Sequence, residues 1–159
     1  MTGVFEVNSV EETWELAKKL AAELKPGDVV CLEGDLGAGK TTFTQGLAAA
    51  LGVPGRVTSP TFCIVQEHRG SCLVPRASCL EDCTKHKAQS TKHFLVHMDL
   101  YRLHGEDDVI AIGWEDYLAE GAILVVEWPE RAGALIPAEA KHVVFTHLDG
   151  EESRRIEFR

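Results

Sequence analysis

The chain of 159 residues has no long hydrophobic run. Its most continuous apolar segment, Ala122 to Val126, ends at Glu127, whereas a membrane span needs about 18 consecutive apolar residues. No basic stretch followed by an apolar one comes after Met1, as a secretory signal would require. We therefore expect a cytoplasmic protein with no membrane partner.

Positive charge is also scarce. The 25 acidic residues outnumber 16 lysines and arginines, which gives a net charge of −9. An acidic surface repels phosphate backbones, so we expect no DNA partner and no stand-alone binding of RNA. The deficit is uneven, because residues 68–93 carry a local charge of +3.

The cysteines do not suggest a disulfide framework. The chain has five of them, an odd number, and no sign of a secreted context, which favours reduced thiols. Cys31 and Cys63 lie in apolar segments, and we predict that both are small core residues.

The tract 68–92 has no sustained hydrophobic period, and a structureless segment of this length is uncommon in a compact domain. Our preferred prediction is a flexible surface insertion. Its segment Leu73–Arg76 resembles a thrombin recognition sequence, so a foreign tract is an alternative. A zinc site is another alternative, although no Cys-x-x-Cys pair is present. The candidate zinc ligands are Cys72, Cys79, Cys83 and His86.

Hydrophobic periodicity predicts strands that alternate with helices. The predicted strands are Val4–Val7, Val29–Leu32, Phe62–Val65, Phe94–Met98, Ala122–Val126, Val143–Phe145 and Arg155–Phe158, the last two forming a hairpin through Asp149-Gly150. The predicted helices are one that begins at a Ser9 capping box and ends before Pro26, one over Thr41–Leu51, and one or two over Gly105–Glu120. This order predicts a single α/β sandwich domain over residues 1–159, with a mixed, mostly parallel central sheet and an antiparallel edge.

Residues 34–41, Gly-Asp-Leu-Gly-Ala-Gly-Lys-Thr, match the phosphate-binding pattern G-x-x-x-x-G-K-[ST]. The motif follows a predicted strand and precedes a predicted helix, as a P-loop NTPase-like fold requires. The glycines allow successive amide N–H groups to face phosphate oxygens, and the helix N-terminus adds partial positive charge. Lys40 can bridge β- and γ-phosphates, and the Thr41 hydroxyl can coordinate Mg²⁺.

A metal site of this kind needs a carboxylate at the carboxyl end of a neighbouring strand. Glu127 ends one predicted strand and Asp99 ends another, so both qualify. Either could instead be an ordinary strand-end residue paired with Arg102 or Arg131. A nearby nucleotide site favours the functional interpretation.

Four segments in this order resemble the bacterial TsaE family, the P-loop ATPases of tRNA threonylcarbamoyladenosine biosynthesis. They are Gly-Asp-Leu-Gly-Ala-Gly-Lys-Thr-Thr (34–42), Thr-Ser-Pro-Thr-Phe (58–62), His-Met-Asp-Leu-Tyr-Arg-Leu (97–103) and Val-Glu-Trp-Pro-Glu (126–130). The resemblance covers nearly the whole chain. The tract 68–92 departs from it, since the family usually has a short connection there.

The motif and the resemblance together imply roles for individual residues. Thr41 and Glu127 would be the Mg²⁺ ligands, and Lys40, Asp99 and Glu127 the catalytic residues, with Asp99 either orienting water or supporting the metal. Ser59-Pro60-Thr61 would match the family's switch-like loop. Trp128 would contact the nucleotide or pack beside it. The implied ATP-binding residues are Gly34, Asp35, Leu36, Gly37, Ala38, Gly39, Lys40, Thr41, Thr42, Thr61 and Trp128.

The resemblance also implies the partners TsaB and TsaD. The chain would be linked to tRNA only indirectly, through the complex with them. The chain would be a Mg²⁺-dependent ATPase that is slow alone and faster with these partners. A small-molecule kinase with the same P-loop is the alternative, although it needs an arginine-rich lid that the sequence does not show. A GTP switch is a third possibility, but Thr84-Lys85-His86-Lys87 lacks the aspartate of the guanine motif.

Overall fold

The computed structural model of the protein describes residues 1–54, 57–60, 63–69, 94–149 and 153–159. The strands are β1 (Gly3–Val7), β2 (Val29–Glu33), β3 (Val65–Arg69), β4 (Phe94–Asp99), β5 (Ile123–Glu127), β6 (Lys141–His147) and β7 (Arg154–Phe158). The helices are α1 (Val10–Ala21), α2 (Lys40–Ala50), α3 (Glu106–Ala111) and α4 (Trp114–Ala119), followed by 3₁₀ turns at Pro129–Arg131 and Gly133–Leu135.

The strands form a seven-stranded sheet in the order β1-β7-β6-β2-β5-β4-β3. The four central strands, β6, β2, β5 and β4, pair in parallel. Antiparallel pairs occur at both edges, with β1 and β7 on one side and β3 on the other. The predicted α/β fold with a mixed, mostly parallel sheet is therefore confirmed, and so is the closing hairpin of β6 and β7.

Two hydrophobic cores cover the sheet. The larger one packs α1 and α2 against residues such as Val30, Leu32 and Val125. The other packs α3 and α4 against alternate residues of the same strands, including Cys31 and Leu124. Because successive strand residues face opposite sides, the fully apolar runs of β2 and β5 fill both cores at once. These runs place the carboxyl ends of β2 and β5 next to each other.

The helix α1 begins as the sequence predicts. Ser9 is its N-cap, with an extended backbone, and its Oγ accepts a hydrogen bond from the Glu12 amide at 3.1 Å. Glu12 reaches back to the amide of Asn8 at 2.7 Å, one residue before the N-cap. This reciprocal pair satisfies backbone donors that would otherwise lack partners at the helix start.

The predicted strand Phe62–Val65 is wrong at Cys63 and Ile64, whereas Val65 does belong to a strand and Phe62 lies outside the described residues. The amides of Cys63 and Ile64 both donate to the Pro60 carbonyl, at 3.0 and 2.8 Å, which closes a turn there. Ile64 has a φ of +66°, a region that β-branched side chains rarely adopt. The strand therefore begins at Val65. Cys63 is exposed in the turn, so the prediction of a core residue is wrong for Cys63 and confirmed for Cys31.

The atypical tract begins later than predicted, because His68 and Arg69 belong to β3. The rest of the tract, with the candidate zinc ligands, lies outside the described residues, as do Thr61 and Gly150. Among the helices of the described ranges, none is long and apolar enough to cross a membrane.

Candidate functional site

The loop between β2 and α2 has the backbone that its glycines allow. Gly34, Gly37 and Gly39 have φ values of +135°, +79° and +105°. At Gly34 a Cβ atom would lie 2.5 Å from the Phe145 carbonyl oxygen, so the close approach of β6 also requires glycine. Residues with a side chain would adopt these positive φ values only with strain, and at Gly34 the side chain would also clash with β6.

The N-terminus of α2 has no side-chain cap. Its first helical hydrogen bond is donated by the Phe43 amide to the Gly39 carbonyl at 2.9 Å. The amides of Lys40, Thr41 and Thr42 precede that bond and have no acceptor within the helix. They are therefore available, together with the positive end of the helix dipole, to an anion beside the loop.

Lys40 is a buried cation, with only 6% of the residue exposed. Its Nζ donates to the carbonyl oxygens of Gly34 at 2.6 Å and Asp35 at 2.9 Å. The same Nζ lies 3.8 Å from Glu127 Oε2, a distance that makes an ion pair but no hydrogen bond. The ammonium is thus held at the loop by neutral carbonyls, with a carboxylate on its other side.

The two candidate carboxylates lie side by side. Asp99 and Glu127 are register partners in the parallel pair of β4 and β5, and they are 6% and 5% exposed. Asp99 Oδ1 accepts a hydrogen bond from the Tyr101 amide at 3.0 Å, and its own amide donates to the Ile64 carbonyl at 2.8 Å. The strand-end argument therefore brings together both acids that it singled out.

His97 is a site residue to which the sequence analysis gave no role. Its Nε2 lies 2.9 Å from Glu127 Oε1, and the residue is fully buried. The available signal was a polar side chain inside an otherwise apolar strand, two residues before Asp99. The sequence alone does not give its partner, because that depends on how β4 aligns with β5.

A cavity of about 510 Å³ opens where these groups meet. It is lined by Asp35, Leu36, Gly37, Gly39, Lys40, Thr41, Thr42, Ser59, Asp99, Tyr101, Glu127 and Trp128. Two predicted binding residues, Gly34 and Ala38, do not line it: Gly34 faces an adjoining cavity of about 360 Å³, and Ala38 is buried in the core. Thr61 cannot be placed, since it lies outside the described ranges.

Tyr101 and Trp128 form an aromatic wall of the cavity. Their ring centroids are 4.9 Å apart, with the planes inclined by 50°. Trp128 has a φ of +58°, and its left-handed backbone turns the chain directly after Glu127. Tyr101 is about half exposed, so the wall is open to a flat ligand from solvent. Tyr101 lies in the segment 97–103, and the sequence alone indicated no site role for it.

The residues present fit a magnesium ion that is shared with phosphates. The Thr41 hydroxyl and the Glu127 carboxylate bring two oxygens to one cavity, and Mg²⁺ is usually bound by few protein oxygens together with waters and substrate phosphates. The described part of the chain holds no group of three or more His, Cys, Asp or Glu side chains suited to a metal.

Comparison with known proteins decides the family. The model of a family described as "Threonylcarbamoyl adenosine biosynthesis protein TsaE" matches residues 7–156. The chain belongs to the TsaE family. The resemblance predicted from the four sequence segments is therefore confirmed, and the matched range contains the P-loop and both candidate carboxylates.

Individual TsaE proteins are similar over most of their length. The "tRNA threonylcarbamoyladenosine biosynthesis protein TsaE" of Bacillus subtilis (strain 168) is 38% identical over 93% of this chain and 79% of its own. The protein of the same name from Aquifex aeolicus is 39% identical over 79% of this chain and 75% of its own. The crystal structure of B. subtilis YdiB superposes with a TM-score of 0.69 and 32% identity, covering 99% of this chain and 84% of that one.

Proposed function

We propose that the chain is a Mg²⁺-dependent ATPase that drives the TsaB–TsaD machinery of tRNA threonylcarbamoyladenosine modification. The observation that carries the proposal is the convergence of a curled P-loop, a buried lysine, a threonine hydroxyl and two buried carboxylates on one cavity. Membership of the TsaE family supplies the pathway. TsaB and TsaD are its protein partners, and tRNA is reached through them.

The phosphate chain of ATP binds along the loop. The free amides at the start of α2 donate to phosphate oxygens, and Lys40 lies where it can meet the β- and γ-phosphates. Since Nζ already donates hydrogen bonds to two loop carbonyls, the ammonium group is in position before the nucleotide binds. Orienting a donor in advance avoids a reorganisation cost during the reaction.

Thr41 and Glu127 would hold a magnesium ion, which would supply positive charge to the phosphate oxygens. Asp99, beside Glu127 on the neighbouring strand, would either orient the attacking water or support the metal. Tyr101 and Trp128 line the same cavity, where their packed rings offer a contact surface to the nucleotide.

Weak hydrolysis by the isolated chain follows from the charges at the cavity. Among the residues that the structure describes, no arginine lines it, and Lys40 is the one cation that does. An arginine that neutralises the transition state is worth about 10³–10⁵ in rate in related chemistry. Stimulation by TsaB and TsaD is therefore part of the proposal.

Phosphate release with and without TsaB and TsaD tests the proposal. We expect slow Mg²⁺-dependent release of free phosphate by the chain alone and faster release by the complex. Glu127→Ala should lose about 10²–10³-fold in turnover, because the metal loses its protein carboxylate. The matched control is Glu115→Ala, an exposed carboxylate on α4.

The products decide between this function and the alternative. Free phosphate supports an ATPase, whereas phosphate transferred to a metabolite would identify a small-molecule kinase. Normal Mg²⁺-dependent hydrolysis by Glu127→Ala would contradict the metal assignment. Fast turnover by the isolated chain would contradict the dependence on partners.

A further inference from the structure

His97 is buried where an apolar residue would suffice for packing. It lies in the middle of β4 between Val96 and Met98, all three fully buried. An imidazole in such a place carries the cost of removing its ring nitrogens from water. A buried polar group with this cost calls for a specific reason, and its partner indicates what that reason is.

The contact with Glu127 fixes how the ring is used. A carboxylate oxygen only accepts hydrogen bonds, so the hydrogen in the 2.9 Å contact is on His97 Nε2 and is donated to Glu127 Oε1. The opposite nitrogen, Nδ1, is buried and has no hydrogen-bond partner within the described residues. In that part of the chain, Glu127 is therefore the polar group that orients the ring.

The two oxygens of Glu127 are divided between two directions. Oε1 is bound by His97, while Oε2 lies toward Lys40 Nζ at 3.8 Å and the cavity that the lysine lines. A carboxylate held by one oxygen cannot rotate freely about its last bonds. The other oxygen then stays where a metal ligand at the cavity is needed.

We propose that His97 is a positioning residue, which fixes the Glu127 carboxylate so that Oε2 faces the magnesium position; this inference rests on the proposed function. His97 itself does not line the cavity, and it acts through Glu127. Removing a hydrogen-bond partner that orients a metal ligand typically lowers metal affinity about 10–100-fold. The same range is expected here.

Two amide variants separate positioning from polarity. The side chain of His97→Gln places an NH₂ donor near the position of Nε2, whereas that of His97→Asn is shorter and ends near the position of Nδ1. Both are neutral and polar, and both are smaller than histidine. We expect that only His97→Gln can still donate to Glu127 Oε1.

The first readout is the gain in ATP affinity that Mg²⁺ produces, measured by calorimetry in Mg²⁺ and in EDTA. We expect His97→Asn to reduce this gain by about tenfold or more, and His97→Gln to restore most of it. Affinity in EDTA should stay within about twofold, because the hydrogen bonds that hold Lys40 Nζ come from the Gly34 and Asp35 carbonyls and not from Glu127. Thermal unfolding of both variants checks that each is folded.

An equal Mg²⁺-dependent gain in wild type and folded His97→Asn would overturn the proposal. So would a loss of the gain that His97→Gln does not restore, since this would indicate a packing role. A second readout needs no nucleotide: ¹⁵N NMR of the wild-type ring should show hydrogen on Nε2, and Nε2 without hydrogen would overturn the proposal. If wild type binds no ATP but Nε2 carries hydrogen, the proposed function fails while the hydrogen bond to Glu127 stands.

Discussion

The middle of the central strands and their carboxyl ends are both buried but are built from opposite kinds of residue. Val30, Leu124 and Val125 are fully buried apolar side chains in the middle. At the ends, Asp99 and Glu127 are almost as deeply buried and carry carboxylates. Burial of the first group stabilises the folded chain, whereas burial of the second destabilises it unless partners compensate.

This difference separates stability from function within the same sheet. The apolar middle explains why the strands form and pair. The charged ends are not explained by packing, since hydrophobic residues of similar size would be as stable or more so. Their cost is met by specific partners, such as His97 for Glu127 and the Tyr101 amide for Asp99. Mutations in the two regions should therefore have separable effects.

The largest effect is expected at the charged end. Lys40→Met keeps the length of the side chain but removes the ammonium, so phosphate release should fall at least about 10²–10³-fold. Lys18→Met is the control, because that lysine is exposed on α1. Phosphate release at saturating MgATP measures the effect, and near-normal turnover of folded Lys40→Met would contradict the assignment.

In the middle of the sheet, the expected effect is on stability. Leu124→Ala removes a fully buried side chain of β5 and should lower the free energy of unfolding by about 2–5 kcal/mol. The affinity of the folded variant for MgATP should be unchanged. Urea denaturation and calorimetry measure the two quantities, with Val4→Ala, exposed on β1, as the control. A large loss of MgATP affinity without a loss of stability would contradict the assignment of Leu124 to stability alone.

A smaller effect is expected at His68, a half-buried histidine on β3. Burial and, second, the charge of His97 lower the pKa of His68 below its ordinary value of 6.5. The unfolded chain then binds the proton more readily, so this group's contribution to stability is present above pH 6.5 and is lost as the pH falls from there through the lowered pKa of the folded chain.

We therefore expect His68→Gln to lose less stability than wild type between about pH 7.5 and about pH 5.5. Guanidinium denaturation at the two pH values measures the difference. Equal losses in both proteins would show that His68 does not couple folding to protonation in this range.

Much of the fold could be predicted because its signals are local. The apolar runs of β2 and β5 and the glycine pattern of the P-loop are each contained within a few neighbouring residues. The strand-end rule then brought Asp99 and Glu127 to the site without knowledge of the register. The sheet order and the position of the antiparallel β3 at its edge are known only from the structure, because strand pairing depends on contacts between residues that are distant in the sequence.

What the sequence did not predict depends on such distant contacts. The start of β3 is set by the Pro60 carbonyl, which accepts two amides and delays the strand to Val65. The His97–Glu127 hydrogen bond joins residues that only the alignment of β4 with β5 makes neighbours. Tyr101 reaches the cavity because its ring packs on Trp128, whose left-handed backbone no local pattern indicated.

A crystal structure with Mg²⁺ and a non-hydrolysable ATP analogue tests the central claim most directly. We predict phosphates on the amides of the loop and the start of α2, Lys40 at the β- and γ-phosphates, and the ion bound by the Thr41 hydroxyl and Glu127 Oε2. A nucleotide bound away from the P-loop, or an ion held without Glu127, would contradict the account.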